Sequence, residues 1–131
     1  MRRAGLVLWC GVATVVACDA CASGGYVPTP SPPEPELLTV TITTSGVNPS
    51  LATVSERPAV VEFVNLSLDA VEIRSNPHPA HRDCAELNLV GEIEPGHRVA
   101  MLSPLDVGRN CGYHDERRLS DPRFAGEISV R

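Results

Sequence analysis

The sequence predicts an all-β fold, a Greek-key β-sandwich of about seven strands over residues 37–131. Three observations carry that expectation. Apolar and polar residues alternate at period two in several short runs, the signature of strands with one face buried. Turn residues punctuate those runs at roughly ten-residue spacing. No window of about 11 residues in this stretch keeps a convincing helical period.

The elements follow in order. Leu37–Thr44 reads LLTVTITT, aliphatic and threonine residues alternating as a half-buried strand requires. Gly46–Ser50 (GVNPS) is turn chemistry, and Leu51–Ser55 is a short second strand. Glu56-Arg57-Pro58 turns the chain into Ala59–Asn65, the most apolar strand, with Val61, Phe63 and Asn65 on one face. Ala70–Arg74 makes a fourth strand, with Val71 and Ile73 on the same side. Ser75–Val90 is a long excursion rich in proline and histidine. Ile93–His97 is a turn leading into Arg98–Ser103, which alternates again, and Leu105–Tyr113 brings the chain to Cys111. His114–Arg123 is polar, and Gly126–Val130 closes as the last strand. Aromatic residues are sparse, so the core must be largely aliphatic: Val61, Phe63, Val71, Ile73, Val99, Ile128 and Val130 are expected to be buried.

Residues 1–36 read differently. Arg2 and Arg3 precede an apolar run, Ala4–Ala17, and Val15-Val16-Ala17-Cys18 closes it. This is the pattern of a secretory signal, and the small residue before cysteine resembles a bacterial lipobox. The run is too short to span a bilayer core, which takes roughly 20 helical residues. Residues 1–17 are therefore expected to be removed, leaving Cys18 as a lipidated N-terminus. Residues 18–36 form the tether. Tyr26–Glu36 holds five prolines in eleven positions, a composition that favours an extended spacer of roughly 3 Å per residue.

Charge and cysteine count narrow the function. Without residues 1–17 the chain keeps sixteen acidic residues against nine arginines, a formal charge of −7, and it has no lysine. Such a surface repels phosphate backbones, so nucleic-acid binding is not expected, while a basic protein partner would suit it. Of the five cysteines only Cys84 and Cys111 fall in residues 37–131. Outside the cytoplasm, two cysteines in a small domain favour a disulfide.

Several motifs resemble the cupredoxin family, the plastocyanin-like blue copper domains. Val61-Glu62-Phe63-Val64-Asn65 resembles that family's strand ending in aromatic-x-Asn, and Glu94-Pro95-Gly96 resembles its Pro-Gly turn before an alternating strand. Cys111-Gly112-Tyr113-His114 followed by Gly126-Glu127-Ile128-Ser129-Val130 resembles its last ligand loop and closing strand. His78-Pro79-Ala80-His81-x-x-Cys84 also looks like a subgroup of bacterial cupredoxin-like lipoproteins. The resemblance implies a cupredoxin-like sandwich, and it also implies a gap. A type 1 copper site takes two imidazoles, a thiolate and a weak axial thioether. The position of the first histidine holds Val71, and Phe124 stands where the axial methionine belongs. Met101 sits in a strand, away from any ligand loop.

Three uses of the remaining residues stay open. Cys111 pairs with Cys84, and His114 is a surface loop residue. Alternatively, Cys111 and His114 are copper ligands, joined by His78 or His81 from the long loop. In the third, the disulfide forms while His78, His81 and His114 hold Cu(II) or Zn(II) without sulfur. His97, after a Pro-Gly turn, is read as exposed. Asp115–Glu116 and the run to Arg118 are read as a solvated face. No enzyme signature is present. The expectation is a lipid-anchored extracytoplasmic domain, in the periplasm or on the cell surface. It acts as a binding or structural module without an intact type 1 site and without a cofactor. The alternative is a copper-binding or electron-transfer protein with a site rebuilt from Cys111, His114 and a loop histidine.

Overall fold

Period-two alternation in the sequence becomes sidedness in the fold. The computed structural model describes residues 29–55 and 57–131, and these contain nine strands. They are β1 (Glu36–Thr43), β2 (Gly46–Asn48), β3 (Leu51–Val54), β4 (Ala59–Asn65), β5 (Val71–Ser75), β6 (Gly91–Ile93), β7 (Arg98–Ala100), β8 (Asn110–Asp115) and β9 (Ala125–Val130). One sheet has the order β2-β1-β4-β7 and the other β3-β9-β8-β5-β6. The chain changes sheets repeatedly, as Greek-key connections do. β1 runs parallel to β4 and β3 parallel to β9, while the remaining pairs are antiparallel.

The sandwich closes over the apolar faces. Val40, Ile42, Val61 and Phe63 from one sheet meet Val71, Ile73, Tyr113, Ile128 and Val130 from the other, all buried. The Phe63 ring meets the Tyr113 ring edge-on at 5.3 Å, a geometry worth about 0.5–1.5 kcal/mol beyond the area buried. Asn65 is the buried polar residue that ties the loops at one end. Its side-chain amide donates to the carbonyls of Asp69 and Ile93, and its carbonyl oxygen accepts from Ser67. Its backbone bonds to Gly96 and His97, so the two sequence patterns at Asn65 and Glu94–Gly96 meet in space.

Some expectations are corrected in detail. Nine strands form rather than about seven, because Gly46–Asn48 and Gly91–Ile93 each add a three-residue strand at a sheet edge. Both segments read as turns or connections because three residues are too few to show a period. Val99 is half-buried, not buried, since β7 is an edge strand. Short 3-10 helices occupy Ala85–Leu89, Glu116–Arg118 and Pro122–Phe124. The signal at residues 1–17, Cys18 and the tether up to Pro28 lie outside the described residues. Residues 29–35 are exposed and belong to no element. Among the described residues no helix is long and apolar enough to cross a membrane.

Candidate functional site

Strand β8 sorts the chemistry by parity. Cys111 lies opposite Ile128, and Tyr113 opposite Gly126, on the face that packs into the core. Gly112 and His114 therefore project from the outer face of the five-stranded sheet, since successive strand residues point to opposite sides. Cys111 is bonded to Cys84 with Cα atoms 5.6 Å apart, well inside disulfide geometry. The bridge expected from compartment and count is present. The pairing of Cys111 with His114 as joint ligands is not, because residues three apart on a strand face opposite ways. His114 is also no surface loop residue: it sits within β8 and is buried under the loop that follows β5.

That loop brings the other histidines. Asn76 anchors it by donating its amide N–H to the Gly112 carbonyl at 2.9 Å, and the Asn76 carbonyl accepts from the amides of Arg82 and Asp83. Cys84 N–H donates to Ser75 Oγ, and Asn88 bridges the Ser75 amide and the His81 carbonyl. The Cys84–Cys111 bond closes the far end. Held this way, His78, His81, His114 and Glu116 point their ligating atoms at one place, all within 4.8 Å of one another. His114 Nε2 is 3.1 Å from Glu116 Oε2, His81 Nε2 is 3.6 Å from the same oxygen, and His78 Nδ1 is 3.3 Å from Glu116 Oε1.

The other ring nitrogens are occupied. His81 Nδ1 lies 2.9 Å from the Ser75 carbonyl and His114 Nδ1 2.6 Å from Asn76 Oδ1. Both partners are carbonyl acceptors, so each Nδ1 carries a hydrogen and, in the neutral ring, each Nε2 is a lone pair aimed at the centre. The Asn76 side chain reaches His114 by lying flat on Gly112, where a Cβ would come 3.0 Å from Asn76 Cγ and closer still to Nδ2. His81 takes the left-handed conformation, φ 47°, which costs a residue with a Cβ energy and clusters at functional sites.

Exposure is graded across the group. The side chain of His114 is 8% exposed, His81 21%, Glu116 27% and His78 44%, so the site is floored by the sheet and open on the His78 side. Burial opposes ionisation of Glu116, but where the rings carry a proton on the facing nitrogen, the hydrogen bond from His114 and the positive charge of His78 and His81 outweigh it. Its carboxyl is held below the usual range.

The sequence reading places Asp115–Arg118 on a solvated face and leaves Glu116 out of the ligand sets. That reading is corrected at two residues. Asp115 is buried, accepting hydrogen bonds from the amides of Glu72 and Arg117, and Glu116 belongs to the cluster. The available signal was the spacing His114-x-Glu116, which continues the outward parity of β8, rather than Cys-x-x-His. Val71, Phe124 and Met101 are all buried apolar residues. His97 is exposed, as its turn suggested.

No protein family and no curated protein matches the sequence. Solved structures do resemble it. The purple cupredoxin from Nitrosopumilus maritimus aligns at 13% identity and TM-score 0.52, covering 71% of this chain and 98% of that one. Oxidised plastocyanin from Dryopteris crassirhizoma aligns at 16% identity and TM-score 0.52, covering 72% and 100%. Reduced auracyanin from Roseiflexus castenholzii aligns at 11% identity and TM-score 0.52, covering 73% and 97%. Identities this low speak for architecture and not for activity, and on architecture they agree: this chain has the cupredoxin-like fold.

Proposed function

We propose that this is an extracytoplasmic binding module, tethered to a membrane through Cys18, whose working site is the outer-face group of His78, His81, His114 and Glu116. One observation carries the reading. Cys111, the only residue of the Cys-x-x-His motif able to supply a thiolate, is bonded to Cys84 and faces away from His114. A type 1 centre needs thiolate and imidazole on one metal. The cupredoxin-like fold supports keeping copper among the ligands to be tested, but its usual site chemistry is replaced here at Val71, Phe124 and Cys111.

The test is to add Cu(II) to the whole mature protein, as prepared and after reduction of the disulfide. No intense blue absorption is expected in either state, since breaking the S–S bond leaves Cys111 on the inner face. An intense blue band that vanishes in Cys111→Ser would defeat the reading. It would favour instead an electron carrier built on Cys111, His114 and a loop histidine.

A further inference from the structure

Resting on that reading, we propose that the ligand of this site is a divalent transition-metal ion, Cu(II) foremost. It would be held by His78 Nδ1, His81 Nε2, His114 Nε2 and a Glu116 oxygen, with no sulfur. The reason lies in what these atoms do without an ion. With neutral rings, His81 and His114 spend their N–H groups on Ser75 and Asn76, and their Nε2 lone pairs face carboxylate lone pairs at 3.6 and 3.1 Å. Two acceptors face each other with no hydrogen between them. Protonating all three rings would instead crowd three positive charges, with ring centroids 5.3–6.1 Å apart, around one carboxylate. A single divalent ion at the centre satisfies all four donors together.

The spacing suits such an ion. Bonds of about 2.0–2.1 Å in a four-coordinate site place neighbouring donors roughly 3.3 Å apart; His114 and His81 lie 3.1 and 3.6 Å from Glu116 Oε2 and His78 lies 3.3 Å from Oε1, in a group whose ligating atoms are all within 4.8 Å of one another. Donor chemistry then chooses the metal. Three imidazoles and one carboxylate suit borderline ions, and Cu(II) binds such sets more tightly than Zn(II). Cu(I) would lack the soft sulfur ligands it prefers, because Cys84 and Cys111, the cysteines among the described residues, are bonded to each other. Asn76 is a positioning residue: by accepting from His114 Nδ1 it fixes the ring and raises the basicity of Nε2. Gly112 leaves it the room to do so. The exposed flank at His78 is the route of entry.

The experiment titrates the whole mature protein with Cu(II), and separately with Zn(II), against a competing chelator. Paramagnetic resonance is recorded on the copper form. One equivalent of Cu(II) should bind, with nitrogen couplings from imidazole, and more tightly than Zn(II). His81→Gln, His114→Gln and Glu116→Gln should each weaken binding at least tenfold, and Asn76→Ala by about 10–100-fold. His97→Gln, at an exposed turn, should change nothing. Circular dichroism checks each variant for folding. Should the buried His114 variant fail to fold, the half-exposed His81 and Glu116 variants decide. Absence of stoichiometric binding, or binding unmoved by those two substitutions, overturns the metal assignment while leaving the module reading intact. Copper bound with a thiolate signature lost in Cys111→Ser overturns both.

Discussion

Tyr113 shows how a single side chain sets the conditions under which the fold survives. Its ring fills the centre of the sandwich against Phe63, and its hydroxyl lies over Gly126, where a Cβ would come 2.5 Å from Tyr113 Cζ. Burial disfavours the phenolate and pushes this phenol above its ordinary value of 10.0. The linkage runs one way. The folded state keeps the proton to higher pH than the unfolded state does. Stability from this group is therefore whole below about pH 10 and declines as pH rises beyond it, by up to about 1.4 kcal/mol per pH unit. The chain has no lysine, so few other groups titrate there. Urea midpoints measured between about pH 8 and pH 11 should fall in the native protein and fall less in Tyr113→Phe. Equal slopes in the two proteins would refute this role for Tyr113.

Among the elements, strand β8 and the loop that follows β5 form one unit. Asn76 bonds to Gly112 at one end of the loop and Cys84 bonds to Cys111 at the other, so the loop is fastened to two adjacent residues of the same strand. The bridge closes 27 residues, worth about 3.5 kcal/mol by restricting the unfolded chain. The double variant Cys84→Ser, Cys111→Ser should therefore lose about that much stability, more if the buried hydroxyls find no partners. It should also bind Cu(II) more weakly, because the loop carrying His78 and His81 loses one anchor. Denaturant unfolding and the same chelator competition measure both effects. A variant of unchanged stability would show that the bridge is incidental to the fold.

For the whole molecule, the sandwich and its proposed anchor divide the work: one presents a site, the other decides where it is presented. If residues 1–17 are removed, the formal charge of −7 draws cations and basic partners toward the surface and repels anionic ones. If Cys18 carries acyl chains, Cys18→Ser should release soluble protein or leave an uncleaved precursor, since firm attachment takes two lipid signals. Membrane fractionation of the native host decides it. Tight membrane association in the variant would rule out anchoring through Cys18.

Strands that bury one face announce themselves by alternation, so β1, β4, β5 and β9 could be read directly, together with the all-β class and the aliphatic core. The disulfide was legible too, because compartment and cysteine count suffice to suggest it. β2 and β6 are three-residue strands beginning at a glycine beside turn residues, so they read as connections. The site was read only in part. His78, His81 and His114 are visible as donors, but their convergence depends on which face of β8 each residue takes and on a loop folded back across that face. Cys111 looked like a partner of His114 because the two are close in sequence; strand parity sends them to opposite sides of the sheet. Glu116 looks like one more solvated carboxylate in sequence, and it joins the histidines because it keeps the outward side of His114 as the chain leaves β8. Local composition determined the strands, the core and the cysteine bridge of this protein. Only the packing of loop on sheet decided which side chains share a site, because that choice is made by contacts between residues 33 to 38 positions apart.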